Sequence, residues 1–176
     1  MISAADDGAI LIRDATDADL PMVATIKVRN WAETYSSLVD SDVLRPFLDV
    51  DSQVAGLSRS FGLPATLLLV ALDQTGTLTG FALTYVDREP DPWLESLHVV
   101  SEARDGGVGT RLMRATAKRL KATGHTTLRL GVVSGNAGAA RLYERLGATH
   151  TGREPASWAD GVWHEIYRWS DISTIA

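Results

Sequence analysis

The chain has 176 residues, 45% hydrophobic and 22% charged, with 17 basic against 22 acidic side chains and a net charge of −5. That balance suits one globular domain with a sizeable core, argues against a nucleic-acid footprint and mildly favours a neutral or cationic partner. Cysteine is absent, which excludes disulfides, thiolate metal sites and a cysteine nucleophile.

Met1 to Ala9 is small and polar and reads as a frayed tail, leaving residues 10–176 as a single domain. Met1 to Gly8 carries acids and no base, and the longest apolar run, Leu67 to Leu72, is far short of a membrane span. A soluble, unexported, cytoplasmic protein is therefore expected, with no membrane partner. Ile10 to Arg13 reads as a first strand, and Asp14 to Asp19 as a helix start with Thr16 as its cap. Ala24, Val28, Trp31 and Tyr35 recur at helical spacing, which predicts one helix from Asp17 to Tyr35, with Pro21 blurring its start.

Ser36 to Asp49 is turn-rich and broken by Pro46, with room for a short helical turn. Val54, Leu57, Ser58 and Phe61 mark a second helix, closed by Gly62 and Pro64. Thr66 to Leu72 and Thr77 to Tyr85 are two strands joined through Asp73-Gln74-Thr75-Gly76, a hairpin. Asp87 to Pro92 is an acidic loop into a further strand, Trp93 to Val100.

That strand runs through Ser101-Glu102-Ala103 into Arg104-Asp105-Gly106-Gly107-Val108-Gly109, which opens a helix ending near Gly124. Glycines let consecutive N–H groups turn toward one point, and the helix adds its unpaired first-turn amides and the positive end of its dipole. The segment is suited to an anion such as phosphate. A dinucleotide fingerprint fails here, because its third glycine would fall on Leu112. A triphosphate loop fails because Gly109 is followed by Thr110 and Arg111. On the helix itself, Leu112, Met113, Ala117 and Leu120 face inward, and Arg111, Arg114, Lys118 and Lys121 form a basic stripe that reads first as a solvated face.

Thr127 to Val133 is the next strand, followed by a helix from Ala137 to Leu146 with Ala139, Leu142, Tyr143 and Leu146 on one face and Gly147 as its stop. Ala148 to Thr151 is a short strand, Gly152 to Gly161 a loop, and Val162 to Trp169 an alternating strand with Trp163, Tyr167 and Trp169 on one face. The four histidines, at 98, 125, 150 and 164, lack ligand spacing, so no metal is expected.

Arg-x-x-Gly-x-Gly at Arg104, Gly107 and Gly109 after a strand, and Asn-x-x-Ala-x-x-Leu-Tyr-x-x-x-Gly at Asn136, Ala139, Leu142, Tyr143 and Gly147, together resemble the GCN5-related N-acetyltransferase (GNAT) superfamily. Two signatures in the right order discriminate far better than either alone. The element order resembles that family from Ile10 to Trp169. The resemblance implies an α/β fold with a mixed sheet of six to seven strands and about four helices, in which the fourth and fifth strands, parallel neighbours, splay apart. It implies acetyl-CoA as acetyl donor, with Arg104, Asp105, Gly106, Gly107, Val108, Gly109 and Thr110 around its pyrophosphate. Backbone near His98, Val99 and Val100 would meet the acetyl and pantetheine groups, Asn136 and Ala139 the pantetheine arm, and Tyr143 would be the general acid.

The base is less fixed. Glu95 is a carboxylate in an apolar strand, where burial would raise its pKa toward that of a useful base, and His98 is the next candidate. The remaining segments would select the amine acceptor. They hold Trp31, Tyr35, Trp158 and Trp163 beside Glu33, Glu154 and Asp160, a mixture suited to a cation. Trp31 and Tyr35 are equally readable as core, Asn136 as a helix cap, and Tyr143 as a packing residue. An enzyme acetylating a primary amine, of a small molecule or a protein N-terminus, is the leading reading, and a CoA-binding sensor or assembly module the rival. The sequence leaves a homodimer open.

Overall fold

The densest apolar runs become the strands that are covered on both faces. In the structure, a computed structural model describing residues 10–175, β2 (Thr66–Leu72) and β3 (Leu78–Tyr85) pair antiparallel as a hairpin. The expected N-terminal tail, Met1 to Ala9, lies outside the described residues. Alternate side chains of β2 serve two cores: Leu68 and Val70 pack with Leu20, Val23 and Leu57, while Leu69 and Ala71 pack with Leu112 and Met113. The first group comes from helices α1 (Leu20–Tyr35) and α3 (Val50–Ser60), so these cover one face. Helix α4 (Val108–Ala122) covers the other.

The remaining strands are β1 (Leu11–Asp14), β4 (Trp93–Val99), β5 (Leu128–Val133), β6 (Thr149–Pro155) and β7 (Trp163–Trp169), and the seven form one mixed sheet in the order β1-β2-β3-β4-β5-β7-β6. Five α-helices accompany it among the described residues, including the four-residue α2 (Ser41–Leu44) in the turn-rich segment and α5 (Ala137–Arg145). The inward residues expected on α4 are all buried, and truncating Leu112, Met113 or Leu120 to alanine would cost about 2–5 kcal/mol.

Three boundaries differ from the sequence reading by more than one residue. The helix expected from Asp17 is a 3-10 turn at Asp17–Asp19 that hands over to α1, with Pro21 in the first turn where its missing N–H costs nothing. The helix expected from Val54 begins at Val50, its N-terminus capped by the Asp49 carboxylate accepting from the Ser52 amide at 2.8 Å. β6 runs on to Pro155 through the residues expected to form a loop. It lies at the sheet edge, where a proline and a register shift between His150 and Gly152 are both tolerated.

Two features of β4 set up the site. Its parallel pairing with β5 is limited to Trp93 with Arg129 and Leu94 with Leu130, after which the strands diverge and leave a gap. This is the splay that the resemblance implied. In addition, the β3–β4 register shifts between Leu83 and Thr84: Leu83 opposes Ser96 and Thr84 opposes Leu94, so Glu95 is the extra residue of a bulge. Among the described residues, no helix is long and apolar enough to cross a membrane.

Candidate active site

A cleft of about 870 Å³ follows the gap between β4 and β5. At one end is the start of α4. Gly107 is its N-cap with φ 78°, a left-handed conformation that a side chain would strain, and it turns the chain so that the first-turn amides open on the cleft. A Cβ on Gly109 would point between Val99 of β4 and Leu142 of α5, at 3.8 and 3.6 Å, directly into the mouth of the gap. Arg104, Asp105, Val108 and Thr110 line this end as well.

The Arg104 guanidinium is turned to α1 and β4. It donates to Glu33 Oε2 at 3.1 Å, to Asn30 Oδ1 at 3.1 Å and to Val99 O at 3.2 Å. Arg29 of α1 reaches the same loop, donating to Ser101 Oγ at 3.0 Å and Glu102 Oε1 at 2.7 Å. The loop is thus tied to α1, and Glu33, expected beside the acceptor, is spent on Arg29 and Arg104.

Strand β4 supplies the floor. The Val100 amide donates to Thr79 O at 2.9 Å, so it is committed to the sheet and cannot serve a bound pantetheine as the sequence reading had it. Strand amides alternate in direction, which leaves the Val99 amide facing the gap. The bulge sets the side chains. Leu94 and Leu97 both reach the α4-side core, whereas His98 packs on Phe81, its ring centroid 5.3 Å away, and Glu95 acts on Lys27 of α1. A regular strand would have put Glu95 with Leu97, on the face opposite His98. The expected burial of Glu95 is absent: its side chain is 37% exposed, accepts from Trp93 Nε1 at 2.9 Å and lies 3.8 Å from Arg88. His98 is sunk in the cleft, and desolvation, with Lys27 and Arg104 adding, lowers its pKa to about 3. It is neutral at working pH and a poor proton acceptor.

Helix α5 forms the far wall. Asn136 caps it, its Oδ1 accepting from the Ala139 amide at 3.2 Å, and its Nδ2 stays available to the cleft it lines together with Ala139. Tyr143 is buried against Trp169, edge to face at 5.9 Å, and lines the same cleft. Its hydroxyl has no hydrogen-bond partner among the described residues. Burial, with Tyr35 nearby, raises its pKa well above the ordinary phenol value.

Along one side α1 presents Lys27, Asn30, Trp31, Thr34 and Tyr35 to the cleft, a stripe at helical spacing. Trp31 packs on Tyr35, Phe47 and Trp158 with ring centroids 5.2, 5.4 and 4.9 Å apart, and burial pushes the Tyr35 phenol up to about 12. Trp158 is fixed in turn by donating from Nε1 to His164 Nε2 at 3.2 Å. These rings are therefore both a small core and a wall. Trp163 is instead half-exposed under Arg153, and neither it nor Asp160 lines the cleft. Sequence reasoning missed Lys27, Asn30, Arg59 and Arg88. The i, i+3, i+4, i+7 positions before Trp31 carried the signal for the first two, and no local pattern marked the arginines.

A splayed gap between parallel strands, bare helix amides at its mouth and a tyrosine on the next helix form the kind of site that suits an acyltransferase using acyl-CoA. The model of the acetyltransferase (GNAT) family matches residues 27–148. L-methionine sulfoximine/L-methionine sulfone acetyltransferases of Pseudomonas aeruginosa and Pseudomonas paraeruginosa are each 30% identical over 174 residues, covering 92% of this chain and 90% of theirs. Among solved structures, the PaiA N-acetyltransferase of Thermoplasma acidophilum with coenzyme A superposes with a TM-score of 0.74 at 21% identity, over 91% of this chain and 98% of that one. YncA of Salmonella typhimurium, a putative acetyltransferase with acetyl-CoA, gives 0.69 at 22%, over 93% and 94%. The chain belongs to the GNAT family. It is an acetyl-CoA-dependent N-acetyltransferase.

Proposed function

We propose that the acetyl group passes directly from acetyl-CoA to the primary amine of a small acceptor held between α1, β4 and the segment around Trp158. The observation that carries this reading is the course of the gap, from the bare α4 amides at Gly107 to Gly109 to the partnerless Tyr143 hydroxyl. The pyrophosphate sits on those amides, the pantetheine lies along β4 beside Asn136, and the thioester comes within reach of Tyr143. The amine nitrogen attacks the thioester carbonyl, an amide of β4 stabilises the oxyanion, the C–S bond breaks, and Tyr143 donates to the departing sulfur. An ordinary thiol titrates near 8.5, well below this buried phenol, so Tyr143 acts mainly as a hydrogen-bond donor to the developing thiolate.

The acceptor must shed a proton. His98, at about 3, is too weakly basic to take it, and we assign that role to Glu95, whose carboxylate lines the same cleft. The relatives that acetylate L-methionine sulfoximine and sulfone support an acceptor of free amino-acid size. Thiol release should be measured over a panel of small amines, the two named among them, and N-terminal peptides, with acetyl-CoA binding followed in parallel. Binding without thiol release from any amine would leave only a CoA-binding module.

A further inference from the structure

Helix α1 runs alongside β4. Lys27 stands at the level of Glu95, Asn30 at His98 and Val99, and Glu33 at Arg104. Six residues of helix separate Lys27 from Glu33, about 9 Å. Lys27 is thus at the acceptor end, away from the phosphate loop. Its ammonium lies 5.3 Å from the Trp31 ring centroid, and no carboxylate or hydrogen-bond acceptor of the described residues pairs with it. The Glu95 carboxylate nearby is turned to Trp93 Nε1 and Arg88. Three donors therefore face the cleft unmet.

Arg59 of α3 and Arg88 line the same cleft beside Glu95 and Glu154, so it is not the purely cation-binding site expected of the acceptor side. Burial already presses the Lys27 ammonium toward its neutral form. When donor and acceptor fill the cleft and expel water, the Trp31 ring and the Glu95 carboxylate offset the charge only in part, and an anion on the acceptor completes the pairing.

We infer that Lys27 binds the carboxylate of the acceptor, which is a free α-amino acid whose ammonium approaches Glu95 and whose side chain lies toward the rings of Trp31 and Trp158. This rests on the acetyl-transfer reading above. It separates free amino acids from protein N-termini, because in a peptide the same carbon carries an uncharged amide in place of the carboxylate.

The experiment compares L-methionine sulfone with its carboxamide, which keeps the amine and drops the charge. The wild type should prefer the acid in kcat/KM by roughly ten- to hundredfold, the worth of a charge-assisted hydrogen bond. In Lys27→Met that ratio should collapse toward one through the KM for the acid, with acetyl-CoA KM unmoved, and Lys27→Arg should restore part of it. Equal use of acid and carboxamide by the wild type, or an equal loss for both in Lys27→Met, overturns the inference. If no amine is acetylated, the acetyl-transfer reading fails. The anion site is then judged by tryptophan fluorescence titration of the CoA complex with the same two compounds. Tighter binding of the acid, lost in Lys27→Met, supports it, and equal or no binding of the two overturns it.

Discussion

Tyr143 combines burial, a partnerless hydroxyl and a position on the cleft wall. A structural tyrosine this deep normally finds a protein partner for its hydroxyl, whereas this one is directed to the open cleft. An interaction formed only as charge develops on sulfur lowers the barrier without tightening the ground state. Tyr143→Phe is therefore expected to lower kcat by roughly ten- to a hundredfold while the Kd of acetyl-CoA stays nearly constant, as single-turnover rates and equilibrium titration would show. Because burial raises the phenol pKa, the protonated form persists above the ordinary value of about 10, and the wild-type rate should show no alkaline fall below it. An unchanged chemical rate in the variant would make Tyr143 a packing residue. Tyr143 and Asn136 were legible in the sequence because the motif spacing fixes them on one helix. Glu95 was legible only as a carboxylate among apolar neighbours. Its exposure follows from the bulge, which depends on register with β3 and leaves no mark in the local pattern.

In the proposed binding mode helix α4 carries the cofactor's phosphates, and its first turn separates fold from function cleanly. A Cβ on Gly109 would meet Leu142 at 3.6 Å and Val99 at 3.8 Å, ordinary contact distances, so the protein alone can accommodate alanine there. In the proposed binding mode the cofactor uses the same space to reach the amides. Gly109→Ala should melt within a few degrees of the wild type and bind acetyl-CoA roughly tenfold more weakly, about the loss of one charge-assisted contact. Unaltered affinity would mean that the phosphates lie elsewhere. The turn and α4 were readable because glycine spacing and helical periodicity are local. β6 was read short for the opposite reason: Gly152 and Pro155 are local turn signals, and edge position overrides them. The stripe of Lys27 and Asn30 was hidden for a related reason. Polar residues on a helix signal solvent by default, and only the β4 partner turns that face into a cleft wall.

At the scale of the molecule, the splay divides the sheet into β1–β4 and β5–β7–β6, joined by two pairs of residues at the closed end of the gap. That end is held by Asp91, which is 5% exposed. Its carboxylate accepts from Arg168 of β7 at 2.9 and 3.1 Å and lies 3.9 Å from Arg129 of β5, whose guanidinium faces the Trp93 ring at 5.5 Å. One carboxylate before β4 thus reaches two strands of the other half, β5 and β7. Breaking a buried pair costs about 3–5 kcal/mol, and the partial exposure of Arg168 reduces this to about 2 kcal/mol. At about 2–4 °C per kcal/mol for a chain of this size, Asp91→Asn should lower Tm by about 4–8 °C. The sign with pH follows from the Arg168 hydrogen bonds, which hold the Asp91 pKa below its ordinary value. The stabilisation is then fully present above the unfolded-state value near 3.9 and is lost as pH falls through the folded one. The wild type and Asp91→Asn should therefore differ most at neutral pH and converge as the pH drops below about 4. Calorimetric melting of both proteins from pH 7 to pH 3 checks this. A gap that stays constant with pH would show that Asp91 holds the two halves through packing and not through charge.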